Sequence, residues 1–314
     1  MHEMEIIKRT VAYNSKGEQI PDSEREYIFF TVEFNGFRDV GTSEVHTVRD
    51  REEKAQTWCV LTLPKSYSHE GEPTQLIISC HGAGGRVDPD ECLVGGLPDV
   101  FPCVDAGYAA LDICGSKPHG LTLGCPEHVF AIYKAYRYVT KKYNLEDKIL
   151  LCGQSMGGTT AMNFVNTFPG IVTAVGMFYP RLNTDPVRVG DHVCIGTWDK
   201  TQKRPDGIST KDRIIEIYRF ENGEWCERNV LGFNPYRTRS FINSEGQRVV
   251  IPPCPIKIWQ GTADTVVDPV MIREFVDSIR RAGCYVELHM LEGIAHTATS
   301  VMKEELKLWF DRFC

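Results

Sequence analysis

No run of apolar residues in the chain approaches a membrane span, and the opening stretch, MHEMEIIKRTVAYNSKGEQ, has no apolar core of the signal-peptide kind. These two absences lead to the expectation of a cytoplasmic protein that does not enter a membrane. A basic stripe is also missing. Net charge is -7 at pH 7, and the run RDREEK at 49–54 mixes both signs, so a nucleic-acid partner is not expected. Neither internal repeats nor low-complexity tracts occur. Cysteine is plentiful, twelve in all, yet no CxxC pair appears, so neither a zinc site nor a dithiol redox motif is signalled. No metal and no cofactor is expected. Cys80 and Cys152 fall inside apolar runs, where a free thiol behaves as a small hydrophobe, which favours a reducing compartment. Pairing among Cys92, Cys103, Cys114 and Cys125 stays open.

What is present is an ordinary globular composition, 42% hydrophobic and 25% charged over 314 residues. Residues 1–55 read as a β-rich N-terminal extension, with MEIIKRTVAY, a turn at NSKGEQ, and YIFFTVEF. From 56 onward strands and helices alternate. WCVLTLP, TQLIISC, GYAALDIC, KILLCG, IVTAVGMFYP, CPIKIWQG and YVELHMLEG read as strands, several of them nearly continuous apolar runs that predict burial on both faces. PEHVFAIYKAYRYVTKKY places Val129, Ile132, Tyr133, Tyr136 and Val139 at helical spacing. PVMIREFVDSIRRAG reads as a helix opened by Pro269 and stopped by Gly283. The alternation predicts an α/β domain over 56–314 with a mostly parallel sheet covered by helices on both sides. Residues 182–252 interrupt it. That stretch is polar but aromatic-rich, and is expected to be a lid-like insertion over the C-terminal edge of the sheet.

Ser155 lies in Gly153-Gln154-Ser155-Met156-Gly157, between a strand run and a helix run. A serine on such a bend has a strained backbone and needs neighbours without side chains where the chain passes close to itself. The bend would lift the hydroxyl clear of the sheet and aim the N–H groups of the helix start at whatever binds there. A serine hydroxyl needs a base, and the base needs an orienting acid. His296 follows the last strand in EGIAH, whereas His289 sits within that strand and reads as structural. Asp264 follows Gly261 in GTADTVVDP and is favoured as the acid. Asp268, just before Pro269, is also explained by N-capping, and Asp185 is a more distant alternative. The loop CHGAGG at 80–85 can turn backbone N–H groups toward a reacting carbonyl, with Ala83 favoured over Gly82 as one donor and Met156 as the other. His81 reads as a brace for that loop.

With HGAGG, GQSMGG, GTADTVVD and EGIAH in this order, the chain resembles the α/β-hydrolase fold serine hydrolases, a superfamily of esterases and prolyl-oligopeptidase-like peptidases. The resemblance covers 56–314 apart from the insertion. It implies a triad of Ser155, Asp264 and His296 and an oxyanion hole of Ala83 and Met156. HGAGG departs from the HGGG loop of one esterase branch, and the N-terminal extension is far shorter than an oligopeptidase propeller.

The expected activity is that of a serine carboxylic ester hydrolase working through an acyl-enzyme, on short acyl groups carried by a small molecule or carbohydrate, such as acetyl or feruloyl esters. Two alternatives stand beside it: a serine peptidase of the prolyl-oligopeptidase type, and a non-catalytic binding protein on the same scaffold. Arg181 reads equally as an anion-binding group and as a solvated surface residue. The extension at 1–55 reads either as a docking element or as edge strands of the domain.

Overall fold

Alternate residues of a strand point to opposite faces, so an unbroken apolar run can feed two cores at once. In the computed structural model Leu76 and Ile78 enter one core while Ile77 enters the other. The structure describes residues 6–14, 16–21, 25–35, 54–114, 122, 124–182, 219–220, 224–225, 235 and 239–314. Nine strands form one sheet: β1 (Ile7–Arg9), β2 (Tyr27–Asn35), β3 (Lys54–Thr62), β4 (Thr74–Cys80), β5 (Ala109–Ile113), β6 (Leu145–Gln154), β7 (Val172–Phe178), β8 (Ile256–Gly261) and β9 (Val286–Leu291). Their order across the sheet is β1-β2-β3-β5-β4-β6-β7-β8-β9. From β5 to β9 every neighbouring pair is parallel, and the first strands run antiparallel.

Among the described residues five α-helices cover this sheet. α2 (Pro126–Lys142), α3 (Met156–Thr167) and α4 (Pro269–Ala282) lie on one face, and α1 (Phe101–Asp105) and α5 (Ser300–Phe310) on the other. α4 follows the local rules read from its sequence. Asp268 caps it by accepting from the Val270 N–H at 2.8 Å, and Gly283 ends it in a left-handed conformation at φ 99°. Trp309 and Phe310 of α5 and Phe275 of α4 are fully buried, and each such side chain contributes roughly 1.5–3 kcal/mol on removal from water. Among the described residues no helix is long and apolar enough to cross a membrane.

The N-terminal strands are edge strands of this same sheet: β2 pairs with β3 along its whole length, from Tyr27 opposite Thr62 to Asn35 opposite Lys54. The last part of the insertion, residues 239–251, differs from expectation. Arg239–Ile242 and Arg248–Ile251 form a hairpin at the N-terminal end of the strands, away from the C-terminal edge. Arg248 donates to the Ala282 carbonyl at the last turn of α4, at 3.0 Å. The reason is connectivity. The hairpin leads within five residues into the start of β8, and α4, which follows β8, ends at that same end of the sheet beside Arg248. Most of 183–238, including Asp185, lies outside the described residues.

Cys92, Cys103, Cys114 and Cys125 form no disulfide among the described residues. Cys59, Cys80 and Cys152 are buried in strands as hydrophobic filling, where desolvation keeps their thiols protonated.

Candidate active site

The loops after β4, β6, β7, β8 and β9 all leave the C-terminal edge of the sheet, where open α/β sheets place their ligands. At the end of β6 the chain turns sharply into α3, and Ser155 occupies the bend with φ 51° and ψ −117°. For a non-glycine residue this is strained backbone. Close packing holds it there. A Cβ on Gly157 would lie 1.7 Å from the Cys80 carbonyl oxygen, and one on Gly153 would lie 2.8 Å from the Gly157 oxygen. The Ser155 N–H donates to the Phe178 carbonyl at 3.1 Å and its own carbonyl accepts from Arg181 N–H at 2.7 Å. The bend is thus anchored to the neighbouring strand from both sides.

Three side chains distant in sequence meet above this bend. His296 Nε2 lies 2.9 Å from Ser155 Oγ, and His296 Nδ1 lies 2.9 Å from Asp264 Oδ2. Asp264 also accepts the Val266 and Val267 N–H groups at 2.8 and 2.9 Å and the Gln260 amide at 3.0 Å. Burial alone would raise the Asp264 carboxyl. The hydrogen bonds from His296, Val267 and Val266 outweigh it and hold the group below the ordinary aspartate value. An ionised carboxylate only accepts, so Nδ1 carries the proton and the Nε2 lone pair faces the serine hydroxyl. Asp268, the other carboxylate of this loop, is engaged as the α4 cap.

The Gly82–Gly84 segment covers the same bend. A Cβ on Gly82 would lie 3.4 Å from Ser155 Cβ. Neither the Ala83 nor the Met156 N–H donates a hydrogen bond among the described residues, so both stay available to a ligand. His81 is buried and hydrogen-bonded through Nδ1 to Asp112 Oδ1 at 2.8 Å, and Asp112 Oδ2 accepts the Gly96 N–H at 2.6 Å. This pair ties the loop to β5. His289 reaches Glu305 at 3.0 Å, along the sheet edge. Arg181 is buried, not solvated, and does not line the cavity described next.

A cavity of about 720 Å³ opens over Ser155 and His296. Several of its walls escaped sequence reasoning. Tyr179, buried at φ 36°, packs its ring on His296 with centroids 4.3 Å apart, and its oxygen accepts from the Gln154 amide. Burial pushes its phenol well above the usual range, so it stays neutral. Asp99 pairs with Lys303 at 2.9 Å, and burial raises the Asp99 carboxyl against the lowering effect of that lysine. Asn14 and Lys16 of the N-terminal segment also line the cavity. One signal was legible: Asp112 sits inside the apolar run AALDIC, and a charge in a buried strand requires a partner. Among the described residues no group of three or more His, Cys, Asp and Glu side chains is placed to hold a metal ion.

Residues 129–300, more than half of the chain, match the model of the serine aminopeptidase S33 family. The chain belongs to that family. The match spans Ser155, Asp264 and His296, and leaves the Cys80–Gly85 loop outside it. Comparison with curated protein sequences returns no match. Among solved structures, Est1E from Butyrivibrio proteoclasticus superposes with a TM-score of 0.51 at 16% identity, over 82% of this chain and 94% of that one. Esterase 2 of Thermogutta terrifontis, in a form phosphonylated by sarin, gives 0.54 at 19% identity over 82% and 89%. A Bacteroides ovatus protein assigned as a dipeptidyl aminopeptidase IV gives 0.58 at 15% identity over 91% of this chain. The chain spans only 35% of that protein's length. The shared architecture is the α/β-hydrolase fold, and the protein is a serine hydrolase.

Proposed function

We propose that the protein is an esterase that cleaves short, polar carboxylic esters through an acyl-enzyme on Ser155. The observation that carries this reading is the continuous hydrogen-bond relay from Ser155 Oγ through His296 to Asp264 beside a cavity lined by small and polar residues. Ser155 Oγ attacks the ester carbonyl as its proton passes to His296 Nε2. Asp264 holds the imidazole in the productive tautomer and balances its charge. The tetrahedral oxygen is received by the Ala83 and Met156 N–H groups, each worth about 3–4 kcal/mol of transition-state stabilisation. His296 returns the proton to the departing alcohol, then deprotonates the water that releases the acid and restores the serine.

Among the described lining residues none is Leu, Ile, Phe, Met or Trp, which favours a short acyl group on a polar carrier over a long acyl chain. Carbohydrate esters are the substrate class that fits this best, with a carbohydrate or small-molecule ester as the only partner invoked. A peptidase reading rests on the family and on peptidase structures among those that share the fold. Replacing Ser155 by Ala should cut turnover of nitrophenyl acetate by roughly a million-fold and abolish labelling by a fluorophosphonate. Substantial activity left in that variant would refute the assignment. Faster turnover of aminoacyl amides than of esters would establish the peptidase instead.

A further inference from the structure

The cavity that holds Ser155 and His296 contains a second constellation with no part in the proton relay. Asp99 is only 8% exposed, yet it lines the cavity together with Lys303. Its Oδ1 accepts from Lys303 Nζ at 2.9 Å, and Nζ also donates to the Pro98 carbonyl at 3.3 Å. Among the described residues nothing donates to Asp99 Oδ2. An ammonium has three protons, and two of those on Lys303 are used. The pair therefore presents one unused acceptor and one unused donor side by side. A largely enclosed ion pair adds little to stability, because desolvation offsets most of its attraction.

That arrangement selects a ligand chemistry. A substrate ammonium would find Asp99 already neutralised and would be repelled by Lys303 and by Lys16 on the same cavity. A substrate carboxylate would be repelled by Asp99. Two adjacent hydroxyls fit, one donating to Oδ2 and the other accepting from Nζ. Building on the esterase reading, we infer that Asp99 and Lys303 form a subsite for a vicinal diol, so that the ester is carried by a polyol or sugar.

The test compares two substrates that differ only in the diol, 2,3-dihydroxypropyl acetate and propyl acetate, with kcat/KM measured for each. The wild-type protein should prefer the diol ester by on the order of tenfold or more, since a site built around hydrogen bonds discriminates against analogues lacking them. Asp99→Asn keeps shape and the bond to Lys303 but turns the free acceptor into a donor; it should erase most of that preference. Lys303→Met should do likewise, and the double variant should lose no more than the worse single one. Lys303→Arg should restore part of the preference. If Lys303→Met fails to fold, Asp99→Asn alone decides. A folded Asp99→Asn protein with the wild-type ratio, or one that slows both esters equally, would overturn the subsite, as would a wild-type protein without preference. In each of those cases cleavage of both esters that is lost in Ser155→Ala would leave the esterase reading standing. Loss of labelling, with neither ester cleaved by the wild type, would remove that reading itself.

Discussion

Two aspartate–histidine pairs, each with a buried aspartate, stand within the same sheet edge, and only one faces a nucleophile. His296 and Asp264 are 2.9 Å apart, and His81 and Asp112 are 2.8 Å apart. Both aspartates accept backbone N–H bonds as well, Asp264 from Val266 and Val267 and Asp112 from Gly96. The difference lies at the other side of the ring. The His296 side chain is 20% exposed and its Nε2 meets Ser155 Oγ, whereas the His81 side chain is 2% exposed. A carboxylate behind an imidazole thus has two uses. Beside an open cavity and a hydroxyl it orients a base; enclosed, it fastens a loop. The enclosed pair serves the open one, because the loop it fastens is the Gly82–Gly84 segment lying over Ser155.

The sharpest way to break this comparison is to neutralise each aspartate in turn. Asp264→Asn should lower kcat by roughly four orders of magnitude, because the amide favours the wrong imidazole tautomer, with ester turnover as the readout. Asp112→Asn should act on stability first, costing about 2 kcal/mol by removing a buried acceptor, read as a lower denaturation midpoint. Its folded fraction should lose far less activity than Asp264→Asn. Equal losses of turnover from both would show that the two pairs do the same work. The smallest effect concerns acid stability. The folded-state pKa of Asp264 lies below its unfolded value near 3.8, so its contribution is fully present above that value and fades as pH falls through the folded pKa. Denaturant titrations between pH 6 and pH 2 should therefore show the stability gap between wild type and Asp264→Asn shrinking toward acid. A gap that widened toward acid would contradict the depressed carboxyl.

Much of this architecture was legible because it rests on local rules. The apolar runs of β4 and β6 marked strands buried on two faces, and Pro269 and Gly283 marked the limits of α4. The glycines at 153 and 157 marked a bend whose close contacts the structure now measures. Asp264 and Asp268 were harder to separate, since both sit in one loop and either fits a role at a strand end. The structure puts one on His296 and the other on the α4 N-terminus. Arg181, which reads equally as an anion-binding group and as a solvated residue, is buried, because the Ser155 and Thr159 contacts draw its backbone onto the start of α3.

The amino-acid order by itself determined the alternation of strand and helix, the position of the strained serine and the chain order of its partners, since propensity, capping and steric room act within a few residues. The tertiary structure alone decided which side chains share a cavity. Asp99 and Lys303 are about two hundred residues apart, Tyr179 reaches His296 from another strand, and Asn14 and Lys16 arrive from the N-terminal edge of the chain. No local pattern encodes such meetings, because they follow from how the whole sheet twists and stacks its loops at one edge.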